Sequence, residues 1–309
     1  MRYPTVIMPF VLAAVPAAAS AADCQPAFVN PDQALVIDGV TIEAGGRATE
    51  DFQLRVQNAA AGGSGPSGGG PMGSATCEAS IRFARFSAPD PDFPAYSLRA
   101  PGNREVEVLP DPASGGTADS DVVIANAPAG PQGRSVPFRL TIPTEWGVRA
   151  GSYIEQLQAQ LLDRDGNVVD TAAVTITVTV PSAVSLRLVG AVVGGSAGGP
   201  AQIDLGNLSS TRETRSEPFG ALILSTAPYS VRFSSANLGA LVHQDGRERV
   251  PYRLFFDGAP VDLAGSSEFP YLAHTPRGGD RRPMSIVVPP VVALAGHYSD
   301  RITVTVSTL

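Results

Sequence analysis

Apolar and polar residues alternate with a period of two wherever the chain has a clear hydrophobic pattern. The longest run covers residues 174–180, in which valine and isoleucine alternate with threonine. Four further runs with the same period begin at Phe52, Ala79, Tyr229 and Ile302. Because successive side chains of a strand point to opposite faces, this pattern predicts strands that bury one face. The apolar positions hold mainly β-branched and aromatic residues, which suit a half-buried sheet.

Short turn signals separate the predicted strands. Asp-Gly pairs begin at Asp38, Asp165, Asp245 and Asp257, and such pairs are typical of tight hairpin turns. No segment combines a sustained helical period with a cap at each end. Many short strands joined by turns predict an all-β protein built from antiparallel, immunoglobulin-like β-sandwiches.

A weak internal repeat indicates two such sandwiches in tandem. Ala-Gly-Ser-Tyr at 150–153 and Ala-Gly-His-Tyr at 295–298 each stand at the head of an alternating run. Each motif follows an apolar segment that ends in proline, at Pro143 and at Pro289. A chain of 309 residues is also long enough for two domains of ordinary size. The boundary is predicted near Pro181. The predicted domains are residues 23–180 and 181–309.

The first 22 residues are typical of a secretory signal peptide. Arg2 gives a positive start, the apolar run at 6–16 is too short to cross a bilayer, and small residues follow at 17–22. We therefore expect the mature protein to be exported.

Two cysteines remain after this segment, Cys24 and Cys77. Disulfides persist in the oxidising compartments that exported proteins enter, so we expect these two to pair. Two thiols alone do not supply the four ligands of a structural zinc site. The sequence thus predicts a disulfide that fastens the N-terminal strand of the first domain, and no metal.

The charge balance argues against a nucleic-acid partner. The chain has 22 basic and 29 acidic residues, a formal net charge of −7, and contains no basic run. A chain of this kind is not expected to bind a phosphate backbone or an anionic membrane surface.

No group of residues in the sequence forms a recognisable active site. Ser196 matches the G-x-S-x-G nucleophile motif of hydrolases, but it lies in a glycine-rich run without the strand and helix that the motif needs. The isolated histidines His243, His274 and His297 have no metal-ligand spacing and are expected at the surface or in hairpins. The aspartates from Asp163 onward lack the glycine and glutamate of a calcium loop. We predict no enzyme activity and no cofactor.

An ordered series of short motifs runs through the second domain. They are IDLGNL at 203–208, APYSV at 227–231, SSANLG at 234–239, VPYRLFFDG at 250–258 and AGHYSD at 295–300. With the terminal alternating run, this series resembles the spore coat protein U domain family, which includes subunits of archaic (Csu-type) chaperone–usher pili. The motif residues with expected structural roles are Gly206, Tyr229, Asn237, Gly258, Gly296, Tyr298 and Asp300.

The resemblance implies assembly by strand exchange. Pilus subunits of this family are incomplete sandwiches whose missing strand comes from a periplasmic chaperone and later from a neighbouring subunit, with an outer-membrane usher as a further partner. The chain stops soon after the run at Ile302, so the C-terminal, pilin-like domain is expected to lack one strand and to be poorly stable alone. Cys24 follows the signal peptide closely and would tether the N-terminus, so no free donor strand is expected.

These features together imply a two-domain tip adhesin. Such a protein would be exported through the periplasm to the pilus tip at the cell surface, where it would attach cells to an abiotic or host surface and support biofilms. Two alternatives stay open at this point. One is a non-tip structural pilus or coat subunit, and the other is a secreted enzyme or ligand-binding protein.

Loops of the N-terminal domain are the predicted contact with the target surface. The loop at 88–98 combines three prolines with two aromatic residues that we expect to be exposed. A second candidate is the stretch 59–74, which is almost entirely Gly, Ala, Ser and Pro and is expected to be mobile. Aromatic residues on stiff loops bring apolar area to a contact at little cost in entropy. The predicted contact residues are Phe93, Tyr96, Met72 and Trp146.

Overall fold

The computed structural model describes residues 24–38, 46–59, 77–194, 200–265 and 267–309. Regular structure in these ranges is almost entirely β-strand, which confirms the predicted fold class. The helical structure described there is one 3₁₀ turn, Pro101–Asn103, and no described helix is long and apolar enough to cross a membrane. The predicted signal peptide at 1–22 and the predicted contact residue Met72, with nearly all of the stretch 59–74, lie outside the described residues.

The first eleven strands form one sandwich of two sheets. Their bounds are β1 Pro26–Phe28, β2 Gln33–Ile37, β3 Gly46–Asn58, β4 Cys77–Arg85, β5 Ser97–Ala100, β6 Arg104–Val106, β7 Val108–Leu109, β8 Val122–Ala127, β9 Arg134–Thr144, β10 Gly151–Leu162 and β11 Val168–Val180. One sheet has the order β1-β3-β9-β5-β6, and the other has the order β2-β11-β10-β4-β7 with β8 beside β4.

Two strand pairs of this sandwich depart from the predicted antiparallel arrangement. β2 pairs with β11, and β4 pairs with β7, in parallel. Parallel neighbours are joined by long crossover connections, which local alternation and turn motifs do not reveal. The other pairs between named strands of this sandwich are antiparallel, as expected, and one isolated parallel bridge joins Asn58 and Ala129.

Three phenylalanine rings join the two sheets at the centre of the N-terminal sandwich. Phe52 and Phe138 of one sheet stack with ring centroids 5.3 Å apart, and Phe83 of the other sheet meets Phe138 edge-on at 4.9 Å. Polar residues between them, such as Gln53 and Arg139, are exposed. The apolar side of the predicted alternating runs is therefore the core of this sandwich.

The long β10–β11 hairpin illustrates how the turn signals work. The Asp163 carboxylate accepts hydrogen bonds from the backbone N–H groups of Asp165 and Asn167, both at 2.9 Å. Gly166 has a φ of 84°, a left-handed conformation that glycine adopts at low cost. The aspartates that imitate the start of a calcium loop thus form a hairpin turn.

The remaining fourteen strands form a second sandwich with two small satellite sheets. Their bounds are β12 Val184–Gly190, β13 Val193–Gly194, β14 Ala201–Gln202, β15 Thr214–Arg215, β16 Phe219–Ser225, β17 Tyr229–Ser235, β18 Ala240–His243, β19 Arg249–Pro251, β20 Arg253–Phe256, β21 Ala259–Val261, β22 Ser267–Tyr271, β23 Asp280–Val288, β24 Tyr298–Ser299 and β25 Ile302–Thr308. The main sheets have the orders β12-β16-β23-β20-β21, with β15 on β23, and β22-β17-β25. The small sheets are β19-β18-β24 and β13-β14.

The two sandwiches meet around Pro181, where the sequence places the domain boundary. The backbone N–H of Ala150 donates a hydrogen bond to the Thr226 carbonyl at 2.6 Å, and the Thr226 hydroxyl donates to the Pro181 carbonyl at 2.8 Å. Glu145 forms an ion pair with Arg277. The segments on both sides of the connection are therefore held by hydrogen bonds and charge.

Strand register defines the two ends of the N-terminal sandwich. Gly151 pairs with Val180 at the end that faces the C-terminal sandwich, which we call the junction end. The opposite end, which we call the distal end, carries the β10–β11 turn. Asn58, at the end of β3, pairs with Pro26 at the distal end.

Candidate functional site

The outermost strands on one side of the C-terminal sandwich each have one pairing partner among the described residues. β12 pairs with β16, and β25 pairs with β17. These two edge strands belong to different sheets and approach each other, with Cα atoms within 8 Å. We call the surface between them the seam, formed by residues 184–190 and 302–308. The outer edge of each strand, which has no partner strand in the part of the chain that the structure describes, presents backbone N–H and C=O groups for further pairing.

Apolar side chains line the seam without being fully covered. Every second residue of β12 and β25 turns towards the core and remains half-buried. These residues are Val184, Leu186, Leu188, Ile302, Val304 and Val306. The neighbouring inner strands differ, since Ile223 of β16 and Val231 of β17 are both 0% exposed. The sandwich is thus closed at its centre and open along one side.

A single carboxylate fixes the start of β25. Asp300 Oδ2 accepts hydrogen bonds from the hydroxyl of Tyr252 at 2.6 Å and from that of Ser235 at 2.5 Å. Asp300 Oδ1 accepts the backbone N–H of Asn237 at 3.1 Å. Burial and the bond to this carboxylate raise the pKa of Tyr252 above its usual value. The motif residues Asn237 and Asp300 therefore meet at the end of the seam.

A second cluster lies close to the same end of the seam. His243 is 7% exposed, its Nδ1 atom lies 2.7 Å from Asp245 Oδ1, and its Nε2 atom lies 3.3 Å from the Ala295 carbonyl oxygen. The ring meets Tyr298 edge-on, with centroids 4.9 Å apart. The Tyr298 hydroxyl donates a hydrogen bond to Glu248. The sequence predicted the hairpin position of His243 but not its burial, because the covering segment follows 50 residues later.

The other motif residues occupy turns and the core. A Cβ atom at Gly296 would come within 2.0 Å of His243 Nε2, so a larger residue would displace the ring. Gly258 has a φ of 80° in the turn between β20 and β21, and Gly206 has a φ of 66° in the loop after β14. Tyr229 is 1% exposed and belongs to the C-terminal core.

Cys24 and Cys77 form the predicted disulfide, with Cα atoms 5.5 Å apart. The bond joins the chain just before β1 to the first residue of β4, at the distal end of the N-terminal sandwich. Among the described residues, no group of three or more His, Cys, Asp and Glu side chains is placed to hold a metal ion.

The aromatic rings of the 88–98 loop are less exposed than predicted. Phe93 and Tyr96 are half-buried against the core, with their ring centroids 5.9 Å apart, and Phe93 also meets Tyr153 edge-on at 6.3 Å. The expectation of two exposed rings is wrong because a buried carboxylate holds Tyr96 inward. The Tyr96 hydroxyl donates a hydrogen bond to Glu155 Oε1 at 3.0 Å.

Glu155 is the feature of this loop that sequence reasoning missed. It takes an inward position on β10, where its Oε1 also accepts a hydrogen bond from Arg85 Nε at 2.8 Å. The Arg85 guanidinium lies 5.9 Å from the centre of the Tyr96 ring. Glu155 is a charged residue at an inward position between Tyr153 and Leu157, so it interrupts the apolar alternation of the strand. This interruption is the sequence feature from which a buried carboxylate could have been predicted.

Trp146 and the 88–98 loop both lie at the junction end. Trp146 is half-buried in the turn after β9, and a Cβ atom at the next residue, Gly147, would come within 2.7 Å of the Arg277 backbone nitrogen. In the loop, Asp92 forms an exposed ion pair with Arg149 at 3.5 Å. Both segments thus lie near the C-terminal sandwich.

No protein-family model and no curated protein matches the sequence. The fold is similar to several solved structures. One is the chaperone–tip adhesion subunit pre-assembly complex CsuC–CsuE of the archaic chaperone–usher Csu pili of Acinetobacter baumannii. That match has 14% identity and a TM-score of 0.43, and covers 90% of this chain and 99% of that chain.

Two further structures match over similar lengths. The CupB6 tip adhesin from Pseudomonas aeruginosa has 10% identity and a TM-score of 0.36, covering 92% of this chain and 95% of that one. CfaE, the adhesive subunit of the CFA/I fimbria of enterotoxigenic Escherichia coli, has 10% identity and a TM-score of 0.33, covering 91% and 98%. At these identities and TM-scores the matches carry no argument about this chain, and its function has to be inferred from its own residues.

Proposed function

We propose that the chain is the tip adhesin of an archaic chaperone–usher pilus, and that the seam of its C-terminal sandwich accepts a β-strand from another protein. The observation that carries the proposal is the pair of strand edges at 184–190 and 302–308 that have no second partner strand among the described residues, with half-buried apolar side chains between them. Strand addition to a sheet edge is an established mode of protein recognition.

The seam supplies both elements that an incoming strand needs. The free edge of β25 offers backbone hydrogen bonds, which give affinity, and the alternating side chains Ile302, Val304 and Val306 select apolar residues at alternate positions of the donor. An unoccupied edge of this kind promotes aggregation, so a partner that covers it would also protect the subunit. A periplasmic chaperone and, after passage through an outer-membrane usher, a neighbouring pilus subunit are the proposed donors.

The first strand favours a tip position over a position in the pilus shaft. A shaft subunit needs a free N-terminal segment to donate to its neighbour. Here Cys24 is held by the disulfide to Cys77, and Pro26–Phe28 pairs with β3 of the same sandwich. These residues are therefore part of their own fold and are not available as a donor strand.

The N-terminal sandwich is then the part that contacts the target, an abiotic or host surface. The four predicted contact residues are separated by their positions. Phe93, Tyr96 and Trp146 lie at the junction end, whereas Ala59 and Cys77, which flank the stretch with Met72, lie at the distal end. We propose the stretch at 59–74 as the better candidate for contact.

A pair of variants on one strand tests the strand-accepting seam. Val304 faces the seam, and Thr305, the next residue of β25, faces away from it and is exposed. Synthetic peptides with apolar residues at alternate positions should raise the melting temperature of the full mature chain. Val304→Asp should abolish this increase, whereas Thr305→Asp should preserve it. A peptide with the same composition in scrambled order serves as the ligand control.

Two results would contradict the seam as the acceptor site. One is an unchanged melting temperature with every alternating peptide, and the other is an equal response of both variants.

A separate comparison tests the target contact. Met72→Ala should weaken attachment of the full chain to coated beads and leave its melting temperature unchanged. The double variant Phe93→Ala/Tyr96→Ala should lower the melting temperature, because both rings pack on the core. If the double variant alone loses attachment while keeping its stability, the 88–98 loop is the contact instead.

A further inference from the structure

Two hydrogen-bond acceptors face the two ring nitrogens of His243 from different segments. Asp245 Oδ1 lies 2.7 Å from Nδ1, and the Ala295 carbonyl oxygen lies 3.3 Å from Nε2. The backbone N–H of Asp245 also donates a hydrogen bond towards Nδ1, at the longer distance of 3.4 Å. A neutral imidazole has one N–H, so in either tautomer one nitrogen lone pair would face an oxygen. The imidazolium has two N–H groups and satisfies both acceptors.

The charged and titratable groups around the ring also favour the protonated form of His243. Asp245 and Glu248 follow β18 on the hairpin that carries His243, and Tyr298 contacts the ring from the covering segment. The hydrogen bond to Asp245 raises the pKa of His243 and outweighs the opposite effect of burial, and the Ala295 carbonyl and Glu248 act in the same direction as Asp245.

His243 connects the hairpin to the segment that leads into the edge strand of the seam. His243 and Tyr298 are direct neighbours in the short β18–β24 pairing. The Gly296 backbone lies so close to the ring that no side chain fits between them. Asp300, two residues after Tyr298, then anchors the start of β25.

We propose that protonation of His243 locks residues 294–300 onto the β18–β19 hairpin, and that deprotonation loosens this segment and the adjoining start of β25. A histidine with a raised folded-state pKa stabilises the fold fully below its unfolded pKa of about 6.5, and this contribution disappears as the pH rises through the folded-state pKa. One wall of the seam therefore becomes less ordered in alkaline medium. This inference goes beyond the proposed function and holds whether or not the seam accepts a strand.

Hydrogen–deuterium exchange of the full mature chain at about pH 5.5 and about pH 9 tests the proposal, because these values lie on either side of histidine titration. Protection factors, corrected for the intrinsic pH dependence of exchange, should fall roughly tenfold across 294–300 at the higher pH. His243→Gln should give the lower protection at both values. His297→Gln, an exposed histidine in the same segment, serves as the control and should keep the pH response.

Equal protection of 294–300 at both pH values in the unmodified chain would overturn the proposal, and so would an unchanged pH response in His243→Gln. If that variant does not fold, NMR titration of the His243 ring in the unmodified chain decides the matter. A loss of protection that follows the His243 titration supports the lock, and a loss that occurs at a different pH contradicts it.

Discussion

The same five residues, Ile-Thr-Val-Thr-Val, occur at 176–180 in the N-terminal sandwich and at 302–306 in the C-terminal sandwich. In β11 the apolar members are buried, with Ile176 and Val178 both 0% exposed. In β25 the corresponding Ile302 and Val304 are half-buried. The local pattern is identical, so the difference in burial comes from the neighbours that each strand has.

Those neighbours differ in number. β11 lies between β10 and β2, whereas β25 has β17 on one side and the seam on the other. A strand with two partners has its backbone groups paired on both edges, and the sheet around it covers its apolar side chains. The comparison shows that alternation specifies which face of a strand turns inward, while topology decides how completely that face is buried.

The largest effect should come from the closed core of the N-terminal sandwich. Phe138 is 2% exposed and contacts the rings of Phe52 and Phe83. Phe138→Ala would leave a cavity between the sheets and should lower the free energy of unfolding by about 3–5 kcal/mol. Chemical denaturation of the chain without residues 1–22 measures this loss. A loss as small as that of a seam variant would show that this sandwich is not closed.

The next largest effect concerns the disulfide, for which the C-terminal sandwich has no counterpart. Replacing Cys24 and Cys77 with serine should lower the free energy of unfolding by about 2–4 kcal/mol, because the unfolded chain gains freedom. The change should affect the unfolding transition of the N-terminal sandwich and leave the peptide response of the seam intact. Thermal unfolding with and without a donor peptide separates the stability of the N-terminal sandwich from peptide binding at the seam. If the peptide no longer raises the melting temperature of this variant, the two sandwiches are coupled.

A structural feature of this protein can be predicted from the sequence when it depends on residues that are close together in the chain. Alternation predicted the strands correctly, and the Asp-Gly pairs at Asp165, Asp245 and Asp257 lie in hairpins as expected, since both signals act over a few residues. The pair that begins at Asp38 extends outside the described residues. The pairing of Cys24 with Cys77 followed from their being the only two cysteines. The parallel pairing of β2 with β11 could not be predicted, because the partners are more than 130 residues apart and have no distinguishing motif.

The candidate site was predicted in part for the same reason. The motif series named Asn237 and Asp300 as structural residues, and in the structure these two residues meet at the start of β25. The exposure of Phe93 and Tyr96 was mispredicted, because it depends on Glu155, a buried partner on another strand. Loop composition indicates stiffness and apolar character, but it does not indicate which end of a sandwich the loop covers.

A smaller effect is expected at the Asp300 cluster, which lies beside the first sheet pair of β25, Ser235 with Ile302. Tyr252→Phe removes one hydroxyl that donates to the carboxylate and keeps the ring in place. The free energy of unfolding of the C-terminal sandwich should fall by about 1.5 kcal/mol, because the lost bond has a charged acceptor. Chemical denaturation measures this loss. Tyr271→Phe is the matched control, because Tyr271 is a tyrosine of the same sandwich whose ring stacks on Tyr229. An equal loss in both variants would mean that the carboxylate bond contributes nothing specific.

The smallest effect is a difference between the two copies of the pentapeptide. Val178→Ala and Val304→Ala remove the same atoms from the same local sequence, so intrinsic strand propensity cancels in the comparison. Val178→Ala, at a buried position, should lower the free energy of unfolding by about 2 kcal/mol. Val304→Ala should lower it by about 1 kcal/mol less, because part of the half-buried Val304 side chain is already in water. A bound donor peptide would cover Val304 and should bring the two costs closer together. If the two substitutions lower the stability equally without a peptide, the seam is already closed. If the donor peptide leaves the difference between the two losses unchanged, the peptide binds outside the seam.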